Sequence, residues 1–174
     1  MLRALVLVIA LAGIFASSAL AQERQKIGLL IATPGLVGVD WEITPRFAVR
    51  SDFAFARIRA TGAPGFGAFD RNRSAAAGVS AVIYVRNLSP LRVYVSPRYA
   101  HQLSRSSGDF SSTQTQSTIS GSVGARFDLA PRFGLFADAG LSYAHWRLTA
   151  GGTSGVSTNT SLANTASIGA MLFF

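Results

Sequence analysis

From residue 36 onward the chain alternates with a period of two, and its charges obey the alternation. In an extended strand successive side chains point to opposite faces, so this period sorts residues onto two surfaces. Seven segments behave this way: 37–43, 47–56, 77–86, 91–100, 119–128, 133–143 and 165–174. One surface gathers residues such as Val37, Trp41, Phe53, Val79, Val95, Ile119, Leu141 and Ile168, and it carries no charge. The other gathers five arginines (Arg50, Arg86, Arg92, Arg98, Arg126) and five carboxylates (Asp40, Glu42, Asp52, Asp128, Asp138). Most of the remaining residues on that surface are Gly, Ala or Ser. A sheet with one wholly apolar surface must bury that surface against something.

A shorter segment, 27–32, alternates Ile27, Leu29 and Ile31 with Gly28, Leu30 and Ala32 and ends at Thr33-Pro34-Gly35. An even strand count and a sheet without free edges both require it as a first strand. Tight turns around Pro45, Pro90 and Pro131 recur once per pair of strands, which predicts an up-and-down meander. Longer connections are expected at about 58–74, 103–115 and 149–161, rich in Gly, Ser, Thr, Asn and Arg. The reading is therefore all-β: an eight-stranded antiparallel up-and-down barrel.

Alternation alone does not say which surface faces inward. A soluble barrel puts the apolar face inside; a membrane barrel turns it toward lipid. The N-terminus favours lipid. Met1-Leu2-Arg3 is a short basic stretch, residues 4–16 are apolar, and Ala19-Leu20-Ala21 is a small-x-small cleavage site before Gln22. These are the parts of a secretory signal, so residues 1–21 are expected to be removed and 22–174 to form the barrel. Composition agrees. Among 174 residues of formal net charge +8, Lys26 is the only lysine, Glu23 and Glu42 are the only glutamates, and cysteine is absent. A water-facing surface is normally rich in Lys and Glu, and zero Cys excludes disulfides, thiol nucleophiles and Cys-bound metals. The aromatics fall into two belts. Phe47 to Phe55 spans about 20 Å and Phe133 to Tyr143 about 25 Å at ordinary rise and tilt, the height of an apolar band. The candidate interior is small and charge-balanced. That suits an eight-stranded barrel, which holds side chains and little else, and paired charges are the kind an interior tolerates.

The series Ala166, Ile168, Ala170, Leu172 and terminal Phe174 resembles the C-terminal targeting strand of Gram-negative outer-membrane proteins. Over about residues 25–174 the chain is similar to the small OmpA/OmpX-like eight-stranded barrels. That resemblance implies the bacterial outer membrane, recognition of the last strand by the barrel-assembly machinery, and both termini on the periplasmic side.

Lipid A deacylases are also eight-stranded barrels of this size. They use an outward His with a Ser two residues later, plus a carboxylate. Here His101 is followed at that spacing by Leu103, and His145 by Arg147, so the motif is missing. The two histidines, with Tyr99, Tyr143 and Trp146, fit an interfacial belt instead. No nucleotide-binding loop, hydrolase elbow or zinc cluster is present, so no cofactor or metal is expected. Export and dispersed charge argue against nucleic acid. Arg57, Arg59, Arg71, Arg73, Arg105 and Arg147 cluster toward the long-loop end. Guanidinium groups bind phosphate bidentately, so these six are the expected contacts to lipopolysaccharide. The expected role is a monomeric, non-catalytic envelope protein with a structural or surface-interaction function. A narrow pore is the alternative, with a lipid A-modifying enzyme behind it.

Overall fold

The computed structural model describes residues 26–60, 70–107, 111–150 and 156–174. The export signal and its cleavage point lie outside these residues. Eight strands form one closed antiparallel barrel in chain order: β1 (Lys26–Ala32), β2 (Leu36–Thr44), β3 (Phe47–Ala60), β4 (Asp70–Leu88), β5 (Leu91–Ser107), β6 (Ser112–Ala130), β7 (Phe133–Ala150) and β8 (Val156–Phe173). The side-chain period places Ile31, Phe55, Ile119, Val123, Leu141 and Ile168 outward and Leu30, Ala48, Val82, Tyr94 and Met171 inside. The two ends of the chain meet where β1 pairs with β8, Gly28 opposite Phe173.

The rows of paired residues climb around the wall. Leu29 lies between Leu172 of β8 and Val39 of β2. The same row then passes Ser51, Val79, Tyr99, Ile119 and Tyr143 and meets β8 again at Leu162, well above Leu172. This stagger is what strand tilt in a closed barrel requires.

The strands run on where sequence periodicity predicts loops. β3 continues to Ala60, β4 begins at Asp70, β5 reaches Ser107, β6 begins at Ser112, β7 reaches Ala150 and β8 begins at Val156. The apolar alternation stops at this level because the outward residues become Arg, Thr and Ser. Backbone pairing does not depend on that alternation and continues, for example from Leu103↔Thr115 to Ser106↔Ser112. The arginines expected near loops therefore stand on strands.

Register shifts occur just before each of the three tight turns, between Glu42/Thr44, Tyr84/Arg86 and Asp128/Ala130. The second shift corrects the reading of Arg86. An extra residue in one strand reverses the facing of the residues beyond it, so Arg86 pairs with outward-facing Val93 and is exposed. It has no part in the interior ion pairs. Trp146 is corrected as well: it pairs with Gln116 and Asn159 on the inward parity and does not join the outer belt.

The β1–β2 hairpin is the low point of the wall. Gly35 supplies its turn with a left-handed φ of 69°. Thr33 caps it against β8, its N–H donating to the Ile168 carbonyl at 2.9 Å. β2 pairs with β3 only as far as Phe53, about 15 Å above Phe47 at ordinary rise and tilt. Above that level β3 and β8 each turn one edge toward the gap. Backbone amides of β8 between 158 and 166 that point away from β7 should therefore exchange hydrogen well ahead of β6 amides at the same height. Equal protection in a micelle exchange experiment would mean the gap is filled.

Candidate functional site: a filled lumen and a cationic outer rim

The interior is closed by three tiers of ion pairs with aromatic rings between them. Nearest the tight turns, Arg92 and Arg126 stand directly opposite each other on β5 and β6. Like charges in register repel, and two carboxylates bridge them. Glu42 Oε1 lies 2.8 Å from Arg92 Nη2 and 2.5 Å from Arg126 Nη1. Asp128 accepts from Arg92 Nε at 3.1 Å and from Arg126 Nε at 2.6 Å. Arg126 also lies over the Phe173 ring at 4.2 Å and donates to the Tyr84 hydroxyl at 3.1 Å.

The middle tier centres on Arg50. Its Nε donates to Asp40 Oδ2 at 3.0 Å, and its Nη1 lies 3.9 Å from Asp138 Oδ2. Its guanidinium rests over Phe136 at 4.6 Å. Tyr94 donates its hydroxyl to Asp138 at 3.0 Å, and Ser167 donates to the other oxygen at 2.9 Å. Tyr84 and Tyr94 meet edge to face, 6.0 Å between centroids. In the upper tier Arg98 grips Asp52 through two bonds of 2.9 and 2.5 Å. Nine of the ten charges placed inside by the alternation thus form one stacked network, and Arg86 is the exception. The aromatic rings between the tiers are Tyr84, Tyr94, Phe136 and Phe173, which the count of charges did not single out.

The outer rim is built differently. Arg57, Arg73 and Arg105 fall in a single row on β3, β4 and β5 and are exposed. Arg59 and Arg71 pair one step above on the backbone, and their side chains lie outside the described ones. Arg147, on β7, is one row lower and opposite Thr115. None of the five carboxylates whose side chains are described pairs with Arg57, Arg73, Arg105 or Arg147: Asp40, Glu42, Asp52, Asp128 and Asp138 are all engaged inside.

The register also brings together residues that chain spacing keeps apart. His101 of β5, Ser117 of β6 and His145 of β7 share one outward row, with His101 Nδ1 3.2 Å from Ser117 Oγ. The serine missing two residues after each histidine is supplied across the sheet. Among the described residues no carboxylate stands on the outward face to orient either imidazole as a base. No group of three potential metal ligands occurs among the described residues either.

Two solved structures share this architecture. A major outer membrane protein from Thermus thermophilus is 12% identical with a TM-score of 0.59, covering 87% of this chain and 100% of that one. Neisserial surface protein A is 16% identical with a TM-score of 0.50, covering 86% of this chain and 94% of that one. No family model matches the chain, and no curated protein does. The closed meander, apolar exterior and salt-bridged interior define the fold shared with those two outer membrane proteins: an eight-stranded antiparallel transmembrane β-barrel.

Proposed function

We propose that this barrel resides in the bacterial outer membrane as a monomeric, non-catalytic envelope protein whose arginine rim holds lipopolysaccharide phosphates. The observation that carries the reading is the Arg57–Arg73–Arg105 row. Three guanidinium groups on neighbouring strands destabilise one another unless an anion lies between them, and the five carboxylates whose side chains are described are all spent in the interior. Phosphate esters at the outer-leaflet surface meet that need with bidentate hydrogen bonds. On the same reading Ala166, Ile168, Ala170, Leu172 and Phe174 present the outward series that the barrel-assembly machinery recognises.

Replacing Arg57, Arg59, Arg71, Arg73, Arg105 and Arg147 by Gln is expected to strip most lipopolysaccharide during detergent extraction while heat-modifiable gel mobility persists. Unchanged retention would remove the proposed role. A pore is disfavoured by the tiers that fill the lumen. The unaltered protein should hold a closed baseline in planar bilayers, and reproducible open steps would restore the pore reading.

A further inference from the structure

We infer that the outward face of β5, β6 and β7 carries a discrete site for one lipid A molecule, with a phosphate in a cationic trough at the rim and an acyl chain in a shallow apolar depression beneath it. The inference deepens the lipopolysaccharide reading above and rests on it.

The trough follows from the register. On β6, Thr113, Thr115 and Ser117 form a floor of short hydroxyl side chains on the outward parity. Arg105 and His101 stand beside Thr113 and Ser117 on β5. Arg147 and His145 stand beside Thr115 and Ser117 on β7. Four long cationic or ionisable side chains, with Leu103 between the two on β5 and Thr149 above the two on β7, therefore flank a low hydroxylated strip. β5 and β7 lie about 10 Å apart across it at ordinary strand spacing, room for a phosphate that takes donors from both sides. His101 Nδ1 and Ser117 Oγ, 3.2 Å apart, are hydrogen-bonded to each other across the strip, which holds that imidazole at its edge.

Directly below the trough the same three strands change character. The next row is Tyr99, Ile119 and Tyr143, and the row after it is Pro97, Gly121 and Leu141. Here the outer wall carries a shallow, open apolar depression, lined on the outside by Val95, Pro97, Gly121, Val123, Ala139 and Leu141. Gly121 makes its floor: a Cβ built there meets no atom within 4 Å. From Ser117 to Gly121 is about 13 Å along the strand, or about 10 Å of depth at barrel tilt. A ligand that fills both parts must join an anionic group to a hydrocarbon chain reaching that depth. The loop-end position of the trough selects the outer-leaflet lipid with phosphate on its headgroup, which is lipid A.

Native mass spectrometry of the refolded full chain tests the site with three probes: diphosphoryl lipid A, lipid A stripped of phosphate, and the deacylated diphosphoryl sugar. One diphosphoryl lipid A should bind, and each of the other probes should bind about tenfold more weakly or worse, as loss of charged hydrogen bonds or of chain burial implies. His101→Gln with His145→Gln, and separately Gly121→Leu with Ala139→Leu, should each lower lipid A binding by a similar factor. Both pairs keep all six rim arginines and change only lipid-facing side chains. Binding at the unaltered level by either pair, or by either truncated probe, overturns the site. Arg57→Gln with Arg73→Gln alters the rim row without touching this trough, so failure of the broader reading and failure of the site are scored separately.

Discussion

Arg50→Ala is expected to cost the barrel about 3–5 kcal/mol, the scale of stranding one partner of a buried ion pair. Asp40 is fully buried, and its side-chain hydrogen bond is the one it accepts from Arg50. Its other carboxylate oxygen already lacks a hydrogen-bond partner. Removing the guanidinium strands the charge and takes the covering cation from the Phe136 face. The double variant Arg50→Met with Asp40→Leu removes both charges and should recover most of the loss, since the penalty lies in the unpaired group. Arg98→Ala provides the contrast: that side chain is 29% exposed, so water can reach the Asp52 it leaves behind, and the effect should be smaller. Urea titrations of the four proteins in lipid vesicles measure all three differences. An Arg50→Ala barrel as stable as the parent would mean that the interior is wet and the network incidental.

Ala139→Arg should destabilise by about 2–4 kcal/mol, the cost of an arginine near the midplane on the lipid face of a barrel. Ala139 pairs with Val123 and Ala166 in the middle of the apolar exterior. Ser142→Arg places the same side chain on the inward face of the same strand, where it meets the polar lumen and not hydrocarbon, and should be milder. Folding titrations of the two variants compare the faces directly, and equal losses would reverse the assignment of inside and outside.

The two faces were legible in the sequence because lipid demands apolar residues at every second position and the narrow lumen demands paired or small ones. That logic located Asp40, Arg50, Asp52, Arg98, Arg126 and their partners. It fails at Arg86, where the shift after Tyr84 turns the chain over in a way that residue types do not announce. It fails again above the hydrocarbon, where Thr113, Thr115 and Arg105 stay in the sheet although neither face needs to be apolar. The His101–Ser117–His145 row was invisible for a different reason. Its members come from three strands, and only the cross-strand register brings them together. Partners such as Phe173 beneath Arg126 depend on the closure of β8 onto β1, which links the two ends of the chain.

The chain has no cysteine, so single cysteines can carry a nitroxide spin label at any chosen position without a competing thiol. Labels on consecutive β7 positions from 135 to 142, in vesicles, should show collisions with membrane-dissolved oxygen at 135, 137, 139 and 141 and protection at the positions between. A flat profile, or one with the opposite phase, would contradict a barrel whose apolar side chains meet hydrocarbon and whose ion pairs fill the interior.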